Sequence, residues 1–235
     1  VAMRANQVVS GLSITIFGTG LASFVGQRLG PASNSNYLAG LTSERFTQIP
    51  IPLLSDIPLL GVLFSQDVLT YTLYPLVPLM WFVLFRTRPG IRLRAAGEDT
   101  SAANAMGVNV SGTRTVATLF GGAMSGIAGA HLSLAYTPGW AENLSGGRGW
   151  IAVALVIFSM WSPYRAVLGA LLFGGINAIQ FRMQAEGTVL PSAFLNMLPY
   201  LFTIAVLILM TLRNRAKRIT GAPAALGKSY TREIG

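Results

Sequence analysis

Residues 86–114 read RTRPGIRLRAAGEDTSAANAMGVNVSGTR and separate two strongly apolar segments. The stretch is basic and polar, whereas the segments beside it approach the length of about 20 apolar residues that a bilayer crossing needs. A polar stretch between two such segments predicts a loop at one face of a membrane. Helices satisfy all their backbone groups in lipid, so the pattern predicts an all-α fold, a polytopic bundle of transmembrane helices.

A short helix is predicted inside this loop. Asp99 or Thr100 can cap its first turn, residues 101–106 include good helix formers, and Gly107 suits the left-handed position after a helix. A helix of about two turns is not stable alone in water, so it needs a partner surface. We therefore expect the loop to dock on a cytoplasmic protein; the alternative is a solvated connector.

The composition is typical of a membrane protein. Hydrophobic residues make up 52% of the 235 residues and charged residues only 11%, against about a quarter charged in soluble domains. The net charge of +9 does not indicate nucleic-acid binding, because the charges lie at the ends of apolar segments rather than on one soluble face. Cysteine is absent, which excludes disulfides, thiolate metal sites and cysteine nucleophiles.

We predict about six spans in a single transmembrane domain over residues 1–235. The fourth and fifth look short and are interpreted as half-helices or steeply packed segments, which protein can cover within a bilayer. The six candidate spans are residues 6–26, 68–85, 115–136, 150–161, 166–181 and 194–212.

Positive charge predicts the orientation. With the 86–114 loop placed inside, 13 of the 17 Lys and Arg residues lie on the cytoplasmic side, as the positive-inside rule requires. The C-terminus is then cytoplasmic as well. Residues 27–67 form the long extracytoplasmic loop, whose prolines oppose a regular helix and whose apolar residues predict that it lies on the membrane surface or on other helices.

No catalytic residue or metal site is predicted. His131, the single histidine, lies near the outer end of the third span without a nearby carboxylate, which favours a packed, hydrogen-bonded role. The Gly-rich run at 145–150 lacks the Gly-Lys-Ser/Thr end of a phosphate-binding loop. Proton- and ion-coupled carriers usually keep an acidic residue at membrane depth, and none lies mid-span. A secondary transporter or channel with no ATPase partner nevertheless stays the main alternative.

Several stretches, in this order, resemble one protein family. Residues 84–108 resemble the cytoplasmic coupling loop of ABC importer permeases that handle branched-chain amino acids, ribose and nucleosides. Four further stretches resemble other parts of that family. Its inner-span start and outer loop resemble residues 6–12 and 54–58; its Gly-Arg-Gly-aromatic span and last helix resemble residues 146–158 and 197–201. The set is most similar to the nucleoside and simple-sugar permeases. Members have further spans upstream of residue 6, so we expect this chain to be incomplete at its N-terminus.

The resemblance implies a permease subunit of an ATP-driven importer in the bacterial cytoplasmic (inner) membrane. Cytoplasmic ABC ATPase subunits would bind and hydrolyse ATP, so no cofactor is expected in this chain. A second permease subunit, identical or related, would complete the pathway within the membrane lipid. An extracytoplasmic substrate-binding lipoprotein would deliver nucleosides or related simple sugars.

Two sets of site residues are predicted. The ATPase-coupling set combines small residues that permit close contact with acidic residues at the positive end of a helix dipole. The substrate-pathway set consists of polar residues in or beside spans, which can equally form hydrogen bonds between helices. The coupling set is Arg94, Gly97, Glu98, Asp99, Ala102, Ala103 and Gly107; the pathway set is Ser13, Asn143, Asn177 and Gln180, with Thr15 behind them.

Overall fold

The computed structural model of the chain describes residues 7–29, 46–52, 55, 61–136, 142–187, 191–217 and 222–228. Helices dominate this part, as the sequence predicts. They are α1 (Gln7–Leu29), α2 (Val68–Arg86), α3 (Arg88–Glu98), α4 (Thr100–Ala105), α5 (Val110–His131), α6 (Arg148–Phe158), α7 (Pro163–Ala185) and α8 (Ser192–Lys217). A π-helical turn, Leu132–Tyr136, extends α5.

The six predicted spans correspond to α1, α2, α5, α6, α7 and α8. By length and composition, the described helices that can cross a membrane are α1, α2 and α7, while α6 and the Met197–Leu209 part of α8 are shorter apolar stretches. The most apolar stretches of α1 and α2 contain no buried residue, as lipid-facing or partner-facing helices require. The number of crossings stays a prediction.

The fifth span is longer than predicted. α7 has 23 residues and begins with Pro163 in its first turn, so its interpretation as a short half-helix is wrong. Arg182 makes the sequence look polar near residue 181, but it lies in the last turn of α7, where a cation is favourable beside the negative end of the helix dipole. Its Nε also lies 3.0 Å from Glu186 Oε1. The fourth span is short as predicted, with 11 residues in α6.

The described part of the predicted 27–67 loop packs on the start of α2. Strands β1 (Ile49–Pro50) and β2 (Ser65–Gln66) pair antiparallel, and the 3₁₀ turn Gly61–Phe64 precedes β2. The Tyr71 and Tyr74 hydroxyls donate hydrogen bonds to the carbonyls of Ile49 and Leu63, at 2.8 and 2.7 Å. Residues 30–45, 53–54 and 56–60, including most of the 54–58 motif, lie outside the described residues.

The chain divides into two compact units, and α2 contributes to both. The first comprises Val1–Leu76, Thr87–Gly146 and Ala224–Gly235; the second comprises Val77–Arg86 and Gly147–Pro223. In the second unit α6, α7 and α8 pack on one another. Gly169 permits close approach of α6 and α7, because a Cβ atom there would meet Phe158 Cδ1 at 2.9 Å and Leu155 Cδ2 at 3.0 Å.

Candidate coupling site

Two helices, not one, lie between α2 and α5 in the candidate coupling loop. Thr87 caps α3, and its side chain accepts a hydrogen bond from the Gly90 N–H at 3.4 Å. α3 is not predicted from the sequence, because Pro89 and Gly90 look like helix breakers. Proline is nevertheless favoured in the first turn, where its missing N–H has no helical partner anyway. We call residues 88–114 the elbow.

The second helix of the elbow, α4, has the predicted caps. Asp99 Oδ1 accepts hydrogen bonds from the N–H groups of Ser101 and Ala102, at 2.9 and 3.0 Å. Gly107 has φ +78°, the left-handed conformation that glycine adopts without a Cβ clash. With six residues, α4 is too short to persist alone, so the rest of the elbow must hold it.

A small apolar core holds the elbow together. Ala96 of α3, Ala103 of α4 and Val110 of α5 are 1%, 4% and 1% exposed and pack as one cluster. Ala103 therefore does not lie on the outer surface, where the sequence analysis places it against a partner. Its neighbour Ala102 does lie there. The small side chain of Ala103 instead allows α4 to approach α3 and α5.

The outer face of the elbow carries most of the predicted coupling residues. Arg94, Glu98 and Asp99 are exposed, and Gly97 is half-buried. Met106, the residue that follows α4, is 84% exposed and was not among the predicted site residues. The exposed surface of the elbow therefore includes a large apolar side chain as well as the Glu98 and Asp99 side chains.

The predicted pathway residues do not form one cluster within the described units. Ser13 is exposed on α1, and Asn143 is exposed in the turn before α6, with φ +57°. Asn177 and Gln180 share one face of α7, three residues apart. The Asn177 amide donates to the Phe173 carbonyl of its own helix at 3.1 Å, and Gln180 is 5% exposed.

Thr15, the predicted supporting residue behind this set, also bonds within its own helix. Its hydroxyl donates to the Gly11 carbonyl at 2.9 Å. Side-chain hydrogen bonds to the carbonyl four residues earlier are common for Thr and leave the polar group satisfied without a substrate.

A polar cluster links the start of α2 to the end of α5. Asp67 caps α2, its Oδ1 accepting from the Thr70 N–H at 3.0 Å and its Oδ2 from the Thr70 hydroxyl at 2.7 Å. His131 Nε2 lies 3.2 Å from Asp67 Oδ2. The packed, hydrogen-bonded interpretation of His131 is confirmed, but the expectation that it has no nearby carboxylate is wrong, because Asp67 is 64 residues away in sequence.

The pKa of Asp67 is lowered below its usual 3.8. Burial alone would raise it, but hydrogen bonds from the Thr70 side chain, the Thr70 backbone and His131 stabilise the carboxylate more strongly. Among the described residues, no group of three or more His, Asp or Glu side chains is placed to hold a metal ion. The hydrogen bonds from Thr70 and His131 make the Asp67 carboxylate a structural link between α2 and α5.

The helical architecture with exposed apolar helices defines an integral membrane protein. Comparison with known families makes the assignment specific: residues 1–211 match the family described as branched-chain amino acid transport system, permease component. The chain belongs to this family of ABC transporter permeases. It is therefore a transport subunit, and ATP hydrolysis lies in a separate subunit of such systems.

Similar proteins come from archaea and bacteria. The chain is 37% identical to a putative glucose ABC transporter permease of Haloferax volcanii, covering 100% of this chain and 75% of the relative. It is 36% identical to a nucleoside ABC transporter permease of Lactococcus lactis, over 98% and 70% of the two chains. A guanosine ABC transporter permease of Bacillus subtilis is 30% identical, over 97% and 72%.

No solved structure matches the chain significantly. The comparisons confirm the resemblance to nucleoside and simple-sugar permeases that the sequence analysis describes. They give no support to the alternative of a secondary transporter or channel without an ATPase.

Proposed function

We propose that this permease translocates nucleosides or related simple sugars. The single observation that carries the substrate class is that three relatives aligned over nearly the whole chain are named for guanosine, nucleosides and glucose. These ligands share hydroxyl-rich sugar rings, which polar uncharged side chains recognise. Ser13, Asn143, Asn177 and Gln180 are of this type and are our candidates for the pathway.

The elbow is the proposed contact with the ATPase subunits. Its inner side is closed by the Ala96–Ala103–Val110 core, so only the outer face is available to a partner. On this face the apolar side chain of Met106 would insert into a groove of the ATPase. The negative charges of Glu98 and Asp99 would face a complementary positive surface of the ATPase. ATP binding would move the ATPases and, through this contact, shift the permease between inward-open and outward-open states.

The remaining partners follow from the family. A second permease subunit, identical or related, would pair with this chain in the cytoplasmic membrane and cover exposed apolar helix surface. An extracytoplasmic binding lipoprotein would release substrate at the outer side. The elbow and the C-terminus would face the cytoplasm.

The first test is a purification of the protein, expressed from its complete gene, out of its native membrane. We expect an ATPase subunit to co-purify in mild detergent. Guanosine plus the binding protein should then stimulate ATP hydrolysis above the level with binding protein alone. The same measurement of ATP hydrolysis with glucose, ribose or leucine in place of guanosine identifies the substrate class.

Two results would contradict the proposal. A folded permease that retains no ATPase would remove the importer mechanism. Stimulation by leucine but by neither nucleosides nor sugars would keep the importer and overturn the substrate class.

A further inference from the structure

The last turn of α3 is capped by groups from distant parts of the chain. The final carbonyls of a helix have no partner within it. Here the Gly97 carbonyl accepts a hydrogen bond from the Ala225 N–H at 2.9 Å. The Ala96 carbonyl accepts one from Arg114 Nη2 at 3.3 Å. The C-terminal segment and a residue of α5 thus complete the end of the helix that leads into α4.

Arg114 also binds the C-terminal segment itself. Its Nη1 donates to the Lys228 carbonyl at 2.9 Å, so one guanidinium bridges the end of α3 and the tail. Gln7, the first residue of α1, donates to the same Lys228 carbonyl at 3.3 Å. The positive guanidinium also faces the negative end of the α3 dipole, where a cation is stabilising.

Residues 225–228 of the C-terminal segment form a tight turn that suits this contact. Ala225 is 9% exposed, whereas the neighbouring Leu226 is 60% exposed. The Lys228 N–H donates back to the Ala225 carbonyl at 3.2 Å, and Gly227 has φ +74°, which closes a tight turn. The turn presents the Ala225 N–H and the Lys228 carbonyl to the elbow.

We propose that residues 224–228 form a C-terminal clamp that fixes the orientation of the elbow, with Arg114 as the positioning residue. The clamp ties α3 to α1 and α5, so that a force applied to α4 moves these helices together instead of bending the loop at residue 99. The role in coupling rests on the proposed function, whereas the clamp itself does not depend on it.

The test places a nitroxide on the elbow of the permease alone. The 235 residues contain no cysteine. With any cysteine elsewhere in the full-length protein replaced by serine, Met106→Cys gives a single label. Two variants remove contacts of the clamp. Arg114→Gln removes the guanidinium that bridges α3 and Lys228. Ala225→Pro removes the N–H that donates a hydrogen bond to the Gly97 carbonyl. Their matched controls are Arg92→Gln, which removes an exposed charge of α3, and Ala225→Gly, which keeps the N–H.

Both clamp variants should raise the ratio of the fast-tumbling to the slow-tumbling component in the electron paramagnetic resonance spectrum. We expect about tenfold or more for Arg114→Gln, which loses charge-assisted hydrogen bonds, and about twofold to tenfold for Ala225→Pro, which loses a neutral backbone hydrogen bond. The controls should leave the spectrum unchanged. Unaltered spectra for Arg114→Gln and Ala225→Pro would overturn the clamp, as would an equal change in the controls. Ala225→Pro alters one tail amide outside the predicted spans, so it is informative even if Arg114→Gln fails to fold.

The coupling role is measured separately in the complex with the ATPase. The clamp variants should keep the ATPase bound but transport several-fold less substrate per ATP hydrolysed. Unchanged transport per ATP would overturn the coupling role. If the parent protein itself binds no ATPase, the proposed function fails while the spectroscopic result still decides whether the clamp exists.

Discussion

At the scale of single residues, two carboxylates cap helices. Asp99 caps α4 and Asp67 caps α2. The Asp99 side chain accepts hydrogen bonds from the N–H groups of Ser101 and Ala102, whereas the Asp67 side chain also reaches His131 on another helix. Asp67 therefore combines a local cap with a tertiary link, and its loss should affect two elements.

The lowered pKa of Asp67 predicts a pH dependence of stability. A carboxylate whose pKa is lower in the folded state stabilises the protein above its unfolded pKa of 3.8, and this contribution is lost as the pH falls through the folded value. When the pH is lowered below 4, the thermal unfolding midpoint of the purified protein should therefore decrease by more than the midpoint of the Asp67→Asn variant decreases. Equal drops in the two proteins would contradict the assignment.

At the scale of elements, packing depends on residues small enough to let helices approach. Ala103 fills the core of the elbow, and Gly169 lies against Leu155 and Phe158 between α6 and α7. Both positions are intolerant of added volume, because an overpacked contact forces backbone shifts that cost about 1–3 kcal/mol. Neighbouring small residues on the same helices face open space and supply matched controls.

The pair Ala102→Trp and Ala103→Trp separates docking from folding in the elbow. Ala102→Trp should leave the protein as stable as the parent but block ATPase association, because the indole stands on the outer face. Ala103→Trp should disrupt the elbow itself. Thermal unfolding and co-purification of the ATPase measure the two effects. Normal ATPase binding by Ala102→Trp would argue against this docking face.

The pair Gly169→Ala and Gly174→Ala tests the contact between α6 and α7. The new methyl group at 169 would lie within 3.0 Å of two side chains, whereas nothing lies within 4 Å of a Cβ atom at 174. We expect Gly169→Ala to lower the unfolding midpoint of the isolated permease. Gly174→Ala should be neutral or stabilise by about 0.5–1 kcal/mol, as alanine favours a helix. Equal behaviour of the two variants would refute the close approach.

At the scale of the whole molecule, orientation follows from charge and can be tested directly. Together with Arg86 beside it, the elbow contains five of the basic residues in the predicted cytoplasmic set, and the positive-inside rule predicts that they face the cytoplasm. The turn before α6 is then expected outside. The 235 residues contain no cysteine, so in a protein without cysteine elsewhere each introduced cysteine is a single reporter.

A membrane-impermeant thiol reagent should label Ser145→Cys in intact cells. In cells that express the permease without its ATPase, Met106→Cys should react only after the cells are permeabilised, because the elbow is predicted to face the cytoplasm. Both side chains are exposed in the structure, so accessibility within the protein does not limit the reaction. Labelling of Met106→Cys in intact cells would reverse the proposed topology.

The sequence by itself determined the helical membrane class, the approximate positions of the apolar helices, a helix start at Asp99 or Thr100 and the left-handed Gly107. These features depend on apolar segments, charge placement and capping signals, all of which act over a few residues. Only the tertiary structure decided that Ala103 faces inward, that His131 meets Asp67 and that Arg114 meets the tail. The His131–Asp67 contact spans 64 positions of the sequence, and the Arg114–Lys228 contact spans 114 positions. No local propensity specifies which distant group completes a buried or capped site.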